Sequence, residues 1–390
     1  MLFSLTGNYV NLKNMDGKRI KHYVFLLILF LVFVPGKAIA QTILPGDANE
    51  DGIVNGADFS IWLNNYSKII PTPVTNSHRN GDFNSDGVVN GADFSIWLSH
   101  YGQRINTTPT PTLPATASFN FISWSDTELS LTTFAQLSNQ ALALQPELTI
   151  YNGDAEAGTL SQWQTALNGN NNNGMSNKTF VVRGNGNSGI GVAAWQSFFE
   201  FSSVASAIGA TNYTALTPDI AYSFDYGNSR FIGIDVPGCI SGPVSADQNT
   251  WINARLTDAE SRGLTHAFLF FHQPIYAVNQ HPCAIPGNLI TTFNNHPIVT
   301  ATFHGHEHVK AIVQFGPGAP VANRIPGVVN KWYEFVTAPA GGGSYNCTAG
   351  ASDYCERYEG FANITVSGRN VTVNFYDTAN ALRKSITFTK

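Results

Sequence analysis

The sequence predicts an α/β domain from Ser118 onward, preceded by a small α-helical module. Three observations carry this. From Ser118, strand-like apolar runs alternate with amphipathic segments of helical period. Upstream, Gly46-Asp-Ala-Asn-Glu-Asp-Gly-Ile-Val-Asn-Gly-Ala-Asp-Phe-Ser-Ile-Trp-Leu63 recurs almost unchanged as Gly81 to Leu98. Between the two regions runs Thr107-Thr-Pro-Thr-Pro-Thr-Leu-Pro114, whose prolines keep the chain extended and prevent a packed core. At roughly 150 residues per domain, 390 residues make two or three units. The boundaries expected are a targeting segment at 1–40, the repeat module at 41–103, a linker at 104–117 and the large domain at 118–390.

The N-terminal segment places Lys13, Lys18, Arg19 and Lys21 before an apolar run over 23–34, then Ala38-Ile39-Ala40. That order reads as a secretory signal peptide cut after Ala40. The run is short for a bilayer span of about 20 residues, so no stable membrane span is expected after cleavage. The mature chain is expected outside a bacterial cell, secreted or associated with its surface. Charged residues make up 12% of the sequence and the net charge is −5, with no basic stripe, which argues against nucleic acid as a partner. The four cysteines suit two disulfides in an exported protein. Cys347 and Cys355 are near enough in sequence to close one loop, and Cys239 with Cys283 would tie together the loops after two strands.

In the repeat, each copy is an oxygen-rich loop followed by a helix. Asp47, Asn49 and Asp51 offer side-chain oxygens at loop positions 1, 3 and 5, and Gly52 makes the turn. Ile53 offers its carbonyl, and Asp58 closes the shell at position 12. Asp82, Asn84, Asp86, Val88 and Asp93 repeat the pattern. A hard cation prefers such all-oxygen ligands, so two Ca2+ are expected. With aspartate at position 12 and Phe-Ser-Ile-Trp-Leu behind it, the module resembles a dockerin, which implies a cohesin-like or cell-surface protein partner. Its residues after position 9, Gly56-Ala57 and Gly91-Ala92, are smaller than those that read well-known cohesins.

In the large domain, Ser118-Phe-Asn-Phe-Ile-Ser-Trp124 reads as a strand ending near Asp126. Phe134, Leu137, Ala141 and Leu144 mark a helix stopped by Pro146, and Leu148-Thr-Ile-Tyr-Asn152 is a strand ending at Gly153-Asp154. A unit of this length implies a parallel pair, with Asp126 and Asp154 side by side at the carboxyl ends. Asn185 follows the strand Val181-Val-Arg183. Ile252, Leu256 and Ala259 mark a helix closed by Gly263. Leu264 to Phe271 is a buried strand ending at His272, with His266 packed inside it. Pro297 to Phe303 leads into His304-Gly-His-Glu-His308, where the glycine lets the chain turn and aim two imidazoles at one region. The tail beyond Tyr358 alternates like edge strands. Carboxylate, amide and imidazole ligands at successive strand ends suit zinc, iron or manganese.

This series resembles the calcineurin-like metallophosphoesterases, and within them the secreted purple acid phosphatase-like branch. Its motifs here are Ser125-Asp-Thr-Glu128, Asn152-Gly-Asp154, Gly184-Asn-Gly-Asn187, Phe271-His-Gln-Pro-Ile275 and Gly305-His-Glu-His308. The resemblance covers nearly all of 118–390 and implies a four-layer α/β/β/α sandwich of two mixed sheets. It implies a dinuclear centre with Asp154 bridging, Asp126 and His308 on one metal, and Asn185, His272 and His306 on the other. Glu128 stands where the first motif usually has histidine and is an additional candidate ligand favouring manganese or iron. Asp154, Asn185 and His306 are the implied catalytic residues, and the implied reaction is hydrolysis of phosphoric esters, monoester favoured over diester.

Three departures modify this expectation. Gly186 replaces the histidine that stabilises phosphate and helps the leaving group depart, a role worth roughly 10²–10⁴ in rate. His281, His304 or Arg183 could take its place. Ala155-Glu-Ala157 stands where the chromophoric tyrosine ligand is expected, so no purple colour is predicted. Gly186 and Glu128 together support an alternative, a catalytically degenerate protein of the same fold that binds a ligand or surface without turnover.

Overall fold

The computed structural model describes residues 2–5, 8–11, 44–49, 54–70, 77–103, 118–155, 157–236, 244–279, 281, 287–321 and 324–390. The apolar run at 23–34, the cleavage site at Ala40, the segment 104–117, and Asp51, Ile53, Cys239 and Cys283 lie outside the described residues. The chain divides into two compact units, Met1–Thr107 and Thr108–Lys390. Among the described residues no helix is long and apolar enough to cross a membrane.

In the first unit, β1 (Leu2–Leu5) pairs antiparallel with β2 (Asn8–Asn11). Each acidic loop then leads into a ten-residue helix, α1 (Gly56–Asn65) and α2 (Gly91–His100). The start of α2 is fixed by a reciprocal cap. The Asn90 side chain accepts from the Ala92 N–H, and Asp93 accepts from the Asn90 N–H at 2.8 Å. The two copies exchange bonds in matching fashion. Trp62 Nε1 donates to the Asn90 carbonyl and Trp97 Nε1 to the Asn55 carbonyl. Phe59, Trp62, Phe94 and Trp97 form one aromatic cluster between them.

The second unit is built on two mixed sheets. Strand β3 (Ser118–Trp124), helix α3 (Leu131–Ala143) and strand β4 (Leu148–Tyr151) form the expected crossover, and β3 and β4 pair parallel with Phe121 beside Leu148. After α4 (Leu160–Leu167), β5 (Thr179–Val181) adds a third parallel strand. Helices α5 (Val192–Phe198) and α6 (Phe201–Ala207) lead to the antiparallel strands β6 (Thr211–Thr217), β7 (Ala221–Tyr226) and β8 (Ser229–Gly233). The chain continues through α7 (Ala246–Ser261), β9 (His266–Phe270), α8 (Gly287–Asn295), β10 (Val299–His304), β11 (Lys310–Phe315) and β12 (Trp332–Thr337). It ends with β13 (Tyr354–Glu356), β14 (Gly360–Ser367), β15 (Asn370–Asp377) and β16 (Leu382–Thr389). One sheet has the order β13-β11-β12-β10-β9-β8-β7-β6 and the other β16-β15-β14-β3-β4-β5.

Strand alternation builds the layers. Phe121 points between the sheets, where its ring meets Phe231, Phe268 and Phe303 at 5.2, 5.4 and 5.6 Å. Its neighbours Ile122 and Trp124 belong to the other face, and Trp124 packs on Phe134 of α3 at 5.2 Å. Beyond the larger sheet, Ile232, Leu269 and Val299 pack with Ile252 and Leu256 of α7 and Leu289 and Phe293 of α8. The result is the four-layer α/β/β/α sandwich.

One expectation is corrected. The tail strands are not edges: β14 lies between β3 and β15, and only β16 is terminal in its sheet. Alternation reports that one face is buried, not how many neighbours a strand has. The wall between the sheets includes Ile364, Val373 and Phe375 of the tail strands, with Phe375 against Phe335 of the other sheet.

Candidate metal centre

The residues expected from the sequence gather beyond the carboxyl ends of β3, β4, β5, β9 and β10. The backbone there is unusual. Asp126, Asp154, His306 and His308 have φ of 57°, 57°, 67° and 47°, in a left-handed region that costs a residue with a Cβ roughly 1 kcal/mol or more. Neighbouring bonds hold them there. Asp126 N donates to the Gly153 carbonyl and Thr127 N to the Asp154 carbonyl. His306 N donates to both oxygens of Asp126 at 3.1 Å. Gly305 has no side chain for a steric reason, since a Cβ there would strike Asp126 Oδ2 and Ser125 Oγ.

Two groups of ligand atoms result, each with all members within 4.8 Å of one another: Asp126, Glu128 and His308, and Asp126, Asp154 and His272. His308 Nε2 lies 3.1 Å from Asp126 Oδ1 and 3.2 Å from Glu128 Oε1. His272 Nε2 lies 3.0 Å from Asp154 Oδ2 and 4.0 Å from Asp126 Oδ1. Asp126, rather than Asp154, belongs to both groups. Asn185 and His306 stand alongside and bond each other, His306 Nδ1 to Asn185 Oδ1 at 2.8 Å. The other nitrogen of His306 lies 3.0 Å from His281 Nδ1.

The charges explain one another. Burial alone would lower the pKa of His272, but Asp154 and Asp126 overcome it and hold it up at about 9. Burial also opposes charge on His308, and Asp126 and Glu128 still raise it to about 11. Burial would raise the Asp126 carboxyl, yet His308 and His272 keep it well below the usual carboxylate range. His306, buried and repelled by charged His272, is pushed down to about 3. This buried negative charge is what a cation would neutralise in place of two protons.

The donor set fits a transition metal. His272 Nδ1 donates to the Asn152 carbonyl at 2.8 Å, so the proton that a cation would displace is the one on Nε2, whose lone pair would then face the carboxylates. That Nε2 is buried and makes no directed hydrogen bond despite the nearby carboxylates. His308 is fixed in the same way by the Gly343 carbonyl at 3.0 Å. Imidazole nitrogens and carboxylate oxygens aimed into one space are ligands for zinc, iron or manganese.

Of the three candidates to replace the missing histidine, only His281 reaches the centre. His304 is buried, with Nε2 on Thr302 Oγ1 at 2.7 Å, and Arg183 is held by both oxygens of Asp235 at 2.9 and 2.7 Å. At Gly186 itself the backbone N–H donates to Asp154 Oδ1 at 2.8 Å. Two residues escaped the sequence reading. Asn187 Oδ1 accepts from the backbone of Asp154 at 3.0 Å and of Ala155 and Gly184 at 3.3 Å, clamping the two motif loops together. Tyr345 stacks on His308 with ring centres 4.4 Å apart and planes 9° from parallel. Asn187 lay in plain sight two residues after Asn185; nothing local marks Tyr345.

In the first unit, Asp47, Asp58, Asp82 and Asp93 are all buried, at 1% exposure or less. Asp58 accepts from the Ala48, Asn49 and Asn55 N–H groups, and Asp93 from those of Phe83, Asn84 and Asn90. Asp82, Asn84 and Asp86 fold the second loop through bonds from Gly87 N, Asp86 N and Val88 N. Asp47 and Asn49 hold the matching places in the first loop. Buried carboxylates bonded to backbone amides are arranged for a hard cation.

Comparison with known proteins agrees with both units. Residues 45–98 match the Dockerin type I domain. No curated protein matches the chain in sequence. Among solved structures, a purple acid phosphatase from yellow lupin (Lupinus luteus) seeds matches with a TM-score of 0.51 at 15% identity. The match covers 70% of this chain and 54% of that one, so this chain spans about half of the lupin enzyme's length. A dimetal phosphatase from Danio rerio matches with a TM-score of 0.51 at 13% identity, covering 70% of this chain and 98% of that one. The chain thus joins a Dockerin type I domain to a larger unit with the fold of the metallophosphoesterases.

Proposed function

We propose that the protein is an exported, dinuclear metal-dependent phosphoesterase that prefers phosphomonoesters and is tethered by its calcium-loaded dockerin module to a cohesin-like partner. The observation that carries the reading is the pair of adjoining ligand groups that share Asp126 and draw on four strand ends. Asp126, Glu128 and His308 would hold one metal; Asp154 and His272, with Asn185 and His306 alongside, would hold the other, and Asp126 adjoins both. When bound, such metals supply Lewis-acid stabilisation of the phosphoryl oxygens. The chain's own residues do the rest. Asn152 and Gly343 fix the two imidazole tautomers through their carbonyls, and Asn187 holds the Asp154 loop in register. In hydrolysis, water adds to phosphorus, the P–O bond to the alcohol breaks, and the alcohol leaves with a proton. His281, beside His306, is the side chain we assign to deliver that proton in place of the family histidine missing at Gly186.

The alternative, binding without turnover, draws on Gly186, whose N–H now occupies Asp154 Oδ1. Turnover separates the two. The full chain, metal-stripped and then given manganese, iron or zinc, should hydrolyse an aryl phosphate faster than an aryl phosphodiester. Asp154→Asn should lower kcat/KM by about 10²–10³, and His281→Ala should lower kcat by about 10² or more. Bound metal with no turnover of either ester would refute the enzyme reading and leave the binder.

A further inference from the structure

Beside the centre lies a cavity of about 480 Å³, within the range of small-molecule sites. Its floor meets His281 and Tyr345, whose rings are 5.2 Å apart. The rest of the described lining is neutral: the amides Asn279 and Asn346, the disulfide-bonded Cys347, the hydroxyl Thr348 and the small Ala349. The wall is braced from several sides. Tyr345 N donates to the His308 carbonyl and Thr348 N to the Val278 carbonyl, both at 3.0 Å. The disulfide Cys347–Cys355 ties the loop to β13, and Arg357 Nη1 donates to Asn346 Oδ1 at 2.9 Å. Tyr345 is 39% exposed although it stacks on His308, so its ring still presents surface.

We infer that this cavity is the leaving-group subsite, and that it takes a neutral ring-bearing alcohol lying against Tyr345, the specificity-determining residue. The inference rests on the phosphoesterase reading. An aryl, glycosyl or nucleoside alcohol shares this chemistry. A lining of amides, hydroxyl and ring offers hydrogen bonds and a stacking face. Apart from the His281 ring beside the centre, the described lining offers a second phosphate no cation to pair with and an ammonium head no carboxylate.

The test compares esters of primary alcohols, so that leaving-group chemistry is matched: benzyl, glucose 6-, nucleoside 5′- and ethyl phosphate, with pyrophosphate as the anionic case. The full metal-restored chain should favour at least one ring ester over ethyl phosphate by about tenfold in kcat/KM, carried by KM. Which ring ester leads names the source. Tyr345→Ala, and Ala349→Trp, which adds bulk to the cavity lining, should each collapse that ratio toward one; Tyr345→Phe should keep it. No ring preference, preference for pyrophosphate, or an equal loss on every ester in Tyr345→Ala would overturn the subsite. If no ester is turned over, calorimetry with benzylphosphonate and ethylphosphonate decides it separately. Tighter benzyl binding that Ala349→Trp removes upholds the subsite while the catalytic reading fails; equal binding rejects it.

Discussion

The two candidate ion-binding regions are assembled on opposite principles. The second acidic loop takes every ligand from twelve consecutive positions, Asp82 to Asp93, and one helix cap finishes it. The centre of the larger unit gathers Asp126, Glu128, Asp154, His272 and His308 from four strand ends of two sheets. A local loop needs little beyond its own turn residues and the ion. The distributed centre exists only when both sheets have packed, and it relies on left-handed backbone at four of its residues. On the proposed reading, the first would be an ion-folded tether and the second a rigid site built in advance of its metals.

That contrast can be broken experimentally. Replacing Asp47 and Asp82 by alanine should remove the calcium-dependent stabilisation of the first unit. The loss is about 4 kcal/mol per site at a calcium concentration a thousandfold above Kd, read as a vanished calcium shift in its thermal transition. Capture of a cohesin should vanish with it, while aryl phosphate turnover stays within about twofold of the unsubstituted chain. A parallel collapse of turnover would mean that the regions are not independent.

A smaller effect distinguishes two histidines on one stretch of chain. His272 at the strand end is held charged by carboxylates, whereas His266 within β9 is buried against Phe268 and bonded to Thr300 and Gly368. Burial lowers the pKa of His266 to about 4. Above pH 6.5 it is neutral in both folded and unfolded chains and has no effect. As pH falls from 6.5 toward 4, only the unfolded chain takes up the proton, so stability declines by up to about 3 kcal/mol. Denaturant unfolding at pH 7 and 4.5 should show this loss in the parent and a smaller one in His266→Gln. Equal losses in both would reject the assignment.

How much was legible in the sequence follows the same division. The loops could be read residue by residue because their chemistry is contiguous. Asp126, Asp154, Asn185, His272 and His306 could be singled out because each stands within a few residues of the end of a strand-like run, and His308 because it shares the histidine stretch with His306. Their grouping was only partly legible. That Asp126 belongs to both ligand groups depends on Gly305 lying against its carboxylate, a contact between segments far apart in sequence. The Tyr345 stack on His308 is hidden for the same reason. His304 was one of three candidates to replace the missing histidine, but strand alternation turns it toward Thr302 and Phe271, away from the centre.

The central claim is that these strand ends form one two-metal site. It is tested most directly by counting transition metal in the full chain, after calcium and adventitious metal are removed and manganese, iron or zinc is restored. The account predicts two ions per chain, with Asp126→Asn and His308→Ala each losing at least one while the circular dichroism of the fold is retained. One ion or none in the parent chain, or full loading after Asp126→Asn, would contradict it.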